Sequence, residues 1–184
     1  EKYLNSKGKK LIGWDEILDG GLAPNATVMS WRGMQGGIKA AKMGRDVIMA
    51  PNTFAYLDHR QTDSAILPHV TRWRFLPLGR VYTFEPVPEE VDPKYILGGQ
   101  GCLWSEFIRT CDENAYQAWP RGMALAEVLW SPKGNRDLDG FHQKLEHRLA
   151  HLKKLKIRYS TAIYDPVVTA GINGKGDMEI RLSS

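Results

Sequence analysis

At 184 residues the chain is long enough for one ordinary domain with a core, and its 42% hydrophobic and 25% charged content exclude a disordered or fibrous protein. A net charge of +4 is modest and scattered, apart from Lys7-Gly8-Lys9-Lys10 and His151-Leu152-Lys153-Lys154-Leu155-Lys156, which read as solvated helix ends and not as a nucleic-acid surface. No apolar stretch approaches the ~20 residues that span a bilayer, and Cys102, Cys111, His59, His69, His142, His147 and His151 lack metal-ligand spacing, so no membrane span, metal or cofactor is expected.

The amino end, Glu1-Lys2-Tyr3-Leu4-Asn5, has no starting Met, is not a signal peptide and reads as the inside of a helix end. A piece of a longer protein is expected. Residues 9–17 read as a strand around Lys10-Leu11-Ile12-Gly13-Trp14, followed by a short helical stretch and the loop Asp19-Gly20-Gly21. Ala26–Trp31 is a second buried strand, Gly36–Gly44 has helical composition between glycines, and Asp46–Ala50 is a third strand, giving the order β-α-β-α-β. From Tyr56 to Pro93 the prolines at 68, 77, 86, 88 and 93 break any long element, and an excursion loop with a short helix near Leu76–Tyr82 is expected.

Ile96–Trp104 resumes as a strand, with glycines where a backbone or ligand approaches closely. Residues 113–130 read as a helix that Pro120 kinks or restarts, and Asp139 is expected to cap a last helix whose Phe141, Leu145, Leu149, Leu152 and Leu155 form one apolar face. Strands alternating with helices imply an α/β fold with a parallel sheet. After Tyr159 the composition changes: Tyr164-Asp165-Pro166 resembles a linker, and Met178–Leu182 alternates like a half-exposed strand opening a β-rich module. The pairing of Cys102 with Cys111 is left open by their spacing.

Four apolar runs end on an aromatic residue with a polar or acidic neighbour: Trp14-Asp15-Glu16, Trp31-Arg32, Tyr56-Leu57-Asp58 and Trp104-Ser105-Glu106. A buried strand needs apolar residues along its length, not a tryptophan and a carboxylate at its carboxyl end, which is where parallel α/β folds bind ligands. Indole rings pack on the C–H faces of a pyranose and carboxylates accept from its hydroxyls. The pattern therefore points to a sugar pocket.

Read in order, Gly13-Trp14-Asp15-Glu16-Ile17-Leu18, Ser30-Trp31-Arg32-Gly33, Tyr56-Leu57-Asp58, Gly101-Cys102-Leu103-Trp104-Ser105-Glu106 and Trp119-Pro120-Arg121 resemble the family 20 glycoside hydrolases, the exo-acting β-N-acetylhexosaminidases. The resemblance covers residues 1–159 and implies the second half of a TIM (β/α)8 barrel, strands five to eight. Residues 160–184 would be the linker and first strands of a truncated C-terminal β-sandwich module. It further implies a substrate-assisted retaining mechanism, in which the substrate's 2-acetamido oxygen attacks the anomeric carbon. The Asp-Glu pair that serves that reaction sits in a strand-four motif absent from these residues, so this chain alone is expected to be inactive.

In the same terms Tyr56 would be catalytic, donating its hydroxyl to the acetamido oxygen, while Trp14, Trp31 and Trp104 would wall the pocket. Asp58 and Glu106 would bind the terminal sugar's hydroxyls, and Trp73 would stack on it from the excursion loop. Asp15 and Glu16 invite an acid/base assignment, but their motif matches the family's strand five, and they read as carboxylates that cap or pair locally. Arg121 and Glu127 are expected to pair at the barrel wall, with Trp130 structural beside them. Partners would be N-acetylglucosamine- or N-acetylgalactosamine-terminated glycans and the upstream half of the same barrel, in a secreted, periplasmic or envelope setting. The alternative is a non-catalytic carbohydrate-binding protein on the same scaffold.

Overall fold

A computed structural model of the chain describes residues 1–62, 71–165, 167–172, 174 and 176–183, with backbone alone at 71–73, 167–169 and 181–183. Its centre is a four-stranded parallel sheet in the order β1 (Ile12–Trp14), β2 (Thr27–Ser30), β3 (Val47–Met49) and β6 (Ile96–Gly99). Successive parallel strands need crossovers, and each here is different. Helix α1 (Lys2–Ser6) precedes β1; a 3-10 turn, Asp15–Leu18, and a loop carry β1 to β2; helix α2 (Gln35–Lys42) carries β2 to β3; and a long excursion carries β3 to β6.

The inner strands are short apolar runs, and Val28, Val47 and Met49 are fully buried. Helix α2 covers them with Ile38, Ala40 and Ala41. Its approach depends on a glycine: a Cβ on Gly37 would stand 2.6 Å from Met49 Cε and 3.0 Å from Val47 Cγ1. The edge strands are more open, with Ile12 52% and Leu97 60% exposed.

The expected α/β order holds, and the details differ in places. The first strand begins at Ile12, not at residue 9. The strand expected to reach Trp104 stops at Gly99, because Gly98 adopts φ 142° and the β3–β6 register shifts between Val47 and Ile48. Beyond it Cys102 makes an isolated parallel bridge with Tyr56. The helix expected over 113–130 restarts at Pro120, as α5 (Cys111–Ala118) and α6 (Arg121–Trp130), with a cis Trp119–Pro120 bond between them.

The last helix, α7 (Leu138–Lys154), is capped by Asp137, whose side chain accepts from the Asp139 N–H; Asp139 lies in the first turn. Phe141, Leu145, Leu149 and Leu152 are buried as the period predicts, while Leu155 sits at the C-cap, 56% exposed.

The proline-rich excursion is more than a loop. It contains α3 (Asn52–Ala55), a two-stranded parallel pair β4 (His59–Arg60) and β5 (Thr71–Phe75), and α4 (Leu78–Tyr82); residues 63–70 lie outside the description. Leu76, Leu78, Val81, Tyr82 and Phe84 are buried in the same apolar cluster as Ala124, Leu125 and Val128 of α6 and the buried face of α7. Pro77 stands at the start of α4 and Pro93 opens a 3-10 turn, while the residues between them fill the core.

After α7 the chain makes a 3-10 turn, Ala162–Tyr164, fastened by Tyr164 Oη donating to Glu146 (2.7 Å) and Thr62 Oγ1 donating to Asp165 (2.8 Å). An antiparallel hairpin, β7 (Val167–Ile172) and β8 (Met178–Ser183), follows. Its register places Ile172 opposite Met178 and Ala170 opposite Ile180, and Ile172, Met178 and Ile180 are 80%, 77% and 62% exposed.

Candidate active site

The carboxyl ends of the parallel strands converge on one cavity of about 510 Å³. β1 delivers Trp14 as its last residue, and β2 ends at Ser30 so that Trp31 follows immediately. Tyr56 and Asp58 come from the turn after α3, which backbone bonds join to the segment beyond β6: Cys102 N–H donates to Ala55 O (2.8 Å) and Leu57 N–H to Cys102 O (2.7 Å). That segment continues to Trp104 and Glu106. Trp14, Trp31, Tyr56, Asp58, Trp104 and Glu106 all line the cavity. The Trp73 backbone lies in β5, and its side chain is outside the description.

The aromatic rings form a continuous surface. Trp31 stacks on Tyr56 with centroids 6.1 Å apart and planes 14° from parallel. Trp104 leans on Tyr56 at 5.9 Å and on Trp14 at 5.6 Å, both tilted. Centroid spacings of 4.5–7 Å are those of interacting aromatic pairs, so the four rings support one another before any ligand enters. Trp104 is 39% exposed at the mouth, while Tyr56 is 8% exposed.

Burial sets the charge state of the floor. It pushes the Tyr56 hydroxyl up to about 12, so the phenol keeps its proton and stays a donor at neutral pH. Burial also raises the Asp58 carboxyl to about 6, against the backbone N–H groups of Asp58 and Trp104 and the Arg121 charge, which favour the carboxylate. Asp58 Oδ1 is buried and has no hydrogen-bond partner among the described residues. His59, also buried, is lowered to about 4 by desolvation first and by Arg74 and Arg121 second, so it is neutral near pH 7.

Arg121 supports this floor from below. Fully buried, its guanidinium donates to Leu76 O (2.8 Å), to Gln117 O (2.9 Å) and to Leu57 O, the residue between Tyr56 and Asp58. Gln117 Nε2 in turn donates to Asp58 O (3.1 Å). The expected pairing of Arg121 with Glu127 does not occur. The guanidinium is spent on backbone carbonyls, and Glu127 faces Lys144 at 3.6 Å; Trp130 is 88% exposed.

Asp15 and Glu16 pair locally. Asp15, 1% exposed, accepts from the backbone N–H groups of Trp31 (3.0 Å) and Arg32 (3.1 Å) and from Arg32 Nε (2.6 Å). Glu16 accepts the Trp31 indole N–H at 3.0 Å on each oxygen. Sequence reasoning missed Glu16, Asn52, His59, Arg74 and Phe107 as cavity residues. His59 had a usable signal, adjacency to Asp58 at a turn; Asn52, Arg74 and Phe107 sit in stretches where neither period nor motif marks them. Among the described residues no cluster of His, Cys, Asp and Glu could hold a metal ion, and Cys102 and Cys111 are unpaired. No helix there is long and apolar enough to cross a membrane.

The chain is 47% identical over 163 residues to a β-hexosaminidase of Porphyromonas gingivalis, covering 86% of this chain and 21% of that protein. It is 40% identical over 131 residues to a β-hexosaminidase of Vibrio furnissii, covering 68% of this chain and again 21% of the relative. The chain thus spans about a fifth of the length of these curated relatives. Among solved structures, the family 20 exo-β-N-acetylglucosaminidase of Vibrio harveyi in complex with N-acetylglucosamine superposes with a TM-score of 0.76 at 30% identity, over 88% of this chain and 26% of that one. The β-N-acetylhexosaminidase of Streptomyces coelicolor shares the fold, with a TM-score of 0.79 at 24% identity over 87% of this chain and 34% of that one. The model of the glycosyl hydrolase family 20 catalytic domain matches residues 1–133, and the chain belongs to that family.

Proposed function

We propose that the protein carrying this chain removes terminal, non-reducing β-linked N-acetylhexosamine residues from glycans by substrate-assisted retaining catalysis, and that these residues supply the sugar-binding half of its active site. The observation that carries the proposal is the meeting of four aromatic rings with Asp58 and Glu106 in a single cavity. Such a wall excludes water and holds the 2-acetamido group against the anomeric carbon, turning the attack into a positioned intramolecular step. Tyr56, kept protonated by burial, donates to the acetamido oxygen as charge develops there. Asp58 and Glu106 accept the hydroxyls of the terminal sugar. A buried carboxylate left without its donors is costly, so a sugar lacking those hydroxyls, or extended beyond them, is rejected.

In this reading residues 1–159 are strands five to eight of a (β/α)8 barrel with their helices, and residues 160–184 a linker and the first strands of a β-sandwich module. The exposed Ile12 and Leu97 on the two edge strands, and the exposed apolar residues of the β7–β8 hairpin, fit sheets that other strands would continue. The general acid and the Asp beside it come from the other half of the barrel, and the intact enzyme works outside the cytoplasm, where its glycans are.

The test is turnover of an aryl β-N-acetylglucosaminide. The whole protein should release the aryl group with retained configuration, and the 184-residue chain, free of host enzyme, should not. Sugar binding by the whole protein without turnover would favour a carbohydrate-binding protein on the same scaffold; turnover by the 184 residues alone would overturn the division of roles.

A further inference from the structure

Trp31 is fixed at three points, and each belongs to a different neighbour. Its backbone N–H is accepted by Asp15 Oδ2 at 3.0 Å, its carbonyl accepts the Asn52 N–H at 2.9 Å, and its indole N–H lies 3.0 Å from both Glu16 oxygens. The two carboxylates are adjacent in the 3-10 turn after β1, yet they act on different parts of the same residue across the β1–β2 boundary. Asp15 is buried and also holds the Arg32 N–H and guanidinium, so it secures the turn. Glu16 is exposed on the cavity rim and meets the edge of the ring.

Stacking alone cannot do what Glu16 does. The face of Trp31 rests on Tyr56 at 6.1 Å and 14°, and an offset stack leaves the ring able to slide and turn in its own plane. A carboxylate that straddles the single N–H resists both motions, and a charged acceptor makes the stronger class of hydrogen bond. We propose that Glu16 is a positioning residue for the hexosaminidase reaction: by holding the Trp31 indole edge it fixes the wall against which Tyr56 is stacked, and so aims the Tyr56 hydroxyl. The assignment rests on the sugar-cleaving reading of this cavity.

The experiment uses the whole protein with 5-fluorotryptophan incorporated, the Trp31 fluorine resonance being identified by its loss in Trp31→Phe. Glu16→Ala should shift and broaden that resonance and lower kcat/KM on an aryl β-N-acetylglucosaminide about tenfold, mostly in kcat, as expected when a reacting group is held less well. The melting temperature should not move, because Glu16 is exposed and the backbone anchors of Trp31 remain. Glu16→Gln keeps an acceptor oxygen and should recover most of both losses. An unchanged Trp31 resonance in Glu16→Ala, or a moved resonance with kcat intact, overturns the assignment. So does a fall in melting temperature that tracks the fall in activity without rescue by Gln, since Glu16 would then only hold the turn together. Absence of turnover in the wild-type protein would sink the sugar-cleaving reading instead, and an unshifted resonance in Glu16→Ala would independently remove the hold on Trp31.

Discussion

Asp58 and His59 are consecutive, both are buried at the cavity floor, and burial drives both toward their neutral forms, the carboxyl up to about 6 and the imidazole down to about 4. Their effects on stability run in opposite directions. Between pH about 4 and 6 the folded Asp58 holds a proton that the unfolded one has lost, so its contribution falls as pH rises. From about 4 to 6.5 the unfolded His59 binds a proton that the folded one refuses, so its contribution rises with pH. The two largely offset in the wild-type chain. Asp58→Asn should expose the His59 slope, with melting temperature climbing from pH 4 to 6.5, and His59→Gln should expose the opposite slope. Thermal melts of the two variants across that range check the pair; parallel profiles would mean neither group is displaced.

Tyr56→Phe removes the donor and keeps the ring. In the whole enzyme kcat should fall on the order of 10²-fold or more with a smaller change in KM, the pattern of a hydrogen bond made to developing charge. An effect confined to KM would reduce Tyr56 to a binding residue.

Arg121→Met should be among the most damaging single changes in the chain. It leaves the carbonyls of Leu57, Leu76 and Gln117 without the donors that now satisfy them, a loss of about 3 kcal/mol or more. Arg121→Lys should rescue little, because one ammonium cannot reach carbonyls arranged around a planar fork. Urea midpoints of the three proteins measure this.

Gly99→Ala tests the close approach of β6 to the core. The added Cβ would stand 2.7 Å from Leu129 Cδ2 and 3.1 Å from the Met49 carbonyl oxygen. Leu129 can turn away but the β3 backbone cannot, so a destabilisation of about 1–3 kcal/mol is expected, read as a lower urea midpoint with an unchanged slope.

Much of the sheet is legible in the sequence because its strands are short apolar runs between glycines, which leave few other options: Val28, Val47 and Met49 are where the pattern puts them. The α7 face is legible for the same reason, as four leucine and phenylalanine positions repeat at helical spacing. Where the sequence misleads, tertiary contacts override a local signal. Ile96 to Trp104 reads as one strand, yet a glycine at positive φ ends it at Gly99. Asp139 looks like a cap, but Asp137, two residues earlier, has the extended backbone a cap needs. Arg121 and Glu127 carry opposite charges on one helix, and nothing local reveals that the carbonyls of Leu57 and Leu76, far away along the chain, claim the arginine together with that of Gln117. At the site, residues that repeat a strand-end pattern were identifiable. Arg74 and Asn52 were not, because only the folded excursion brings them to the cavity.

The cross-bonding between Ala55, Leu57 and Cys102 divides the cavity mechanically. Tyr56, Asp58 and Trp104 ride on two main-chain segments stitched by backbone hydrogen bonds in both directions, so they move as a single jaw. Trp14 and Trp31 stand on the opposite jaw, where a side-chain carboxylate holds the Trp31 ring edge. The Trp31 backbone is tied to Asp15 and to Asn52, so on that side only the ring edge depends on a side chain. A single substitution at Glu16 can release that edge without loosening either main-chain segment.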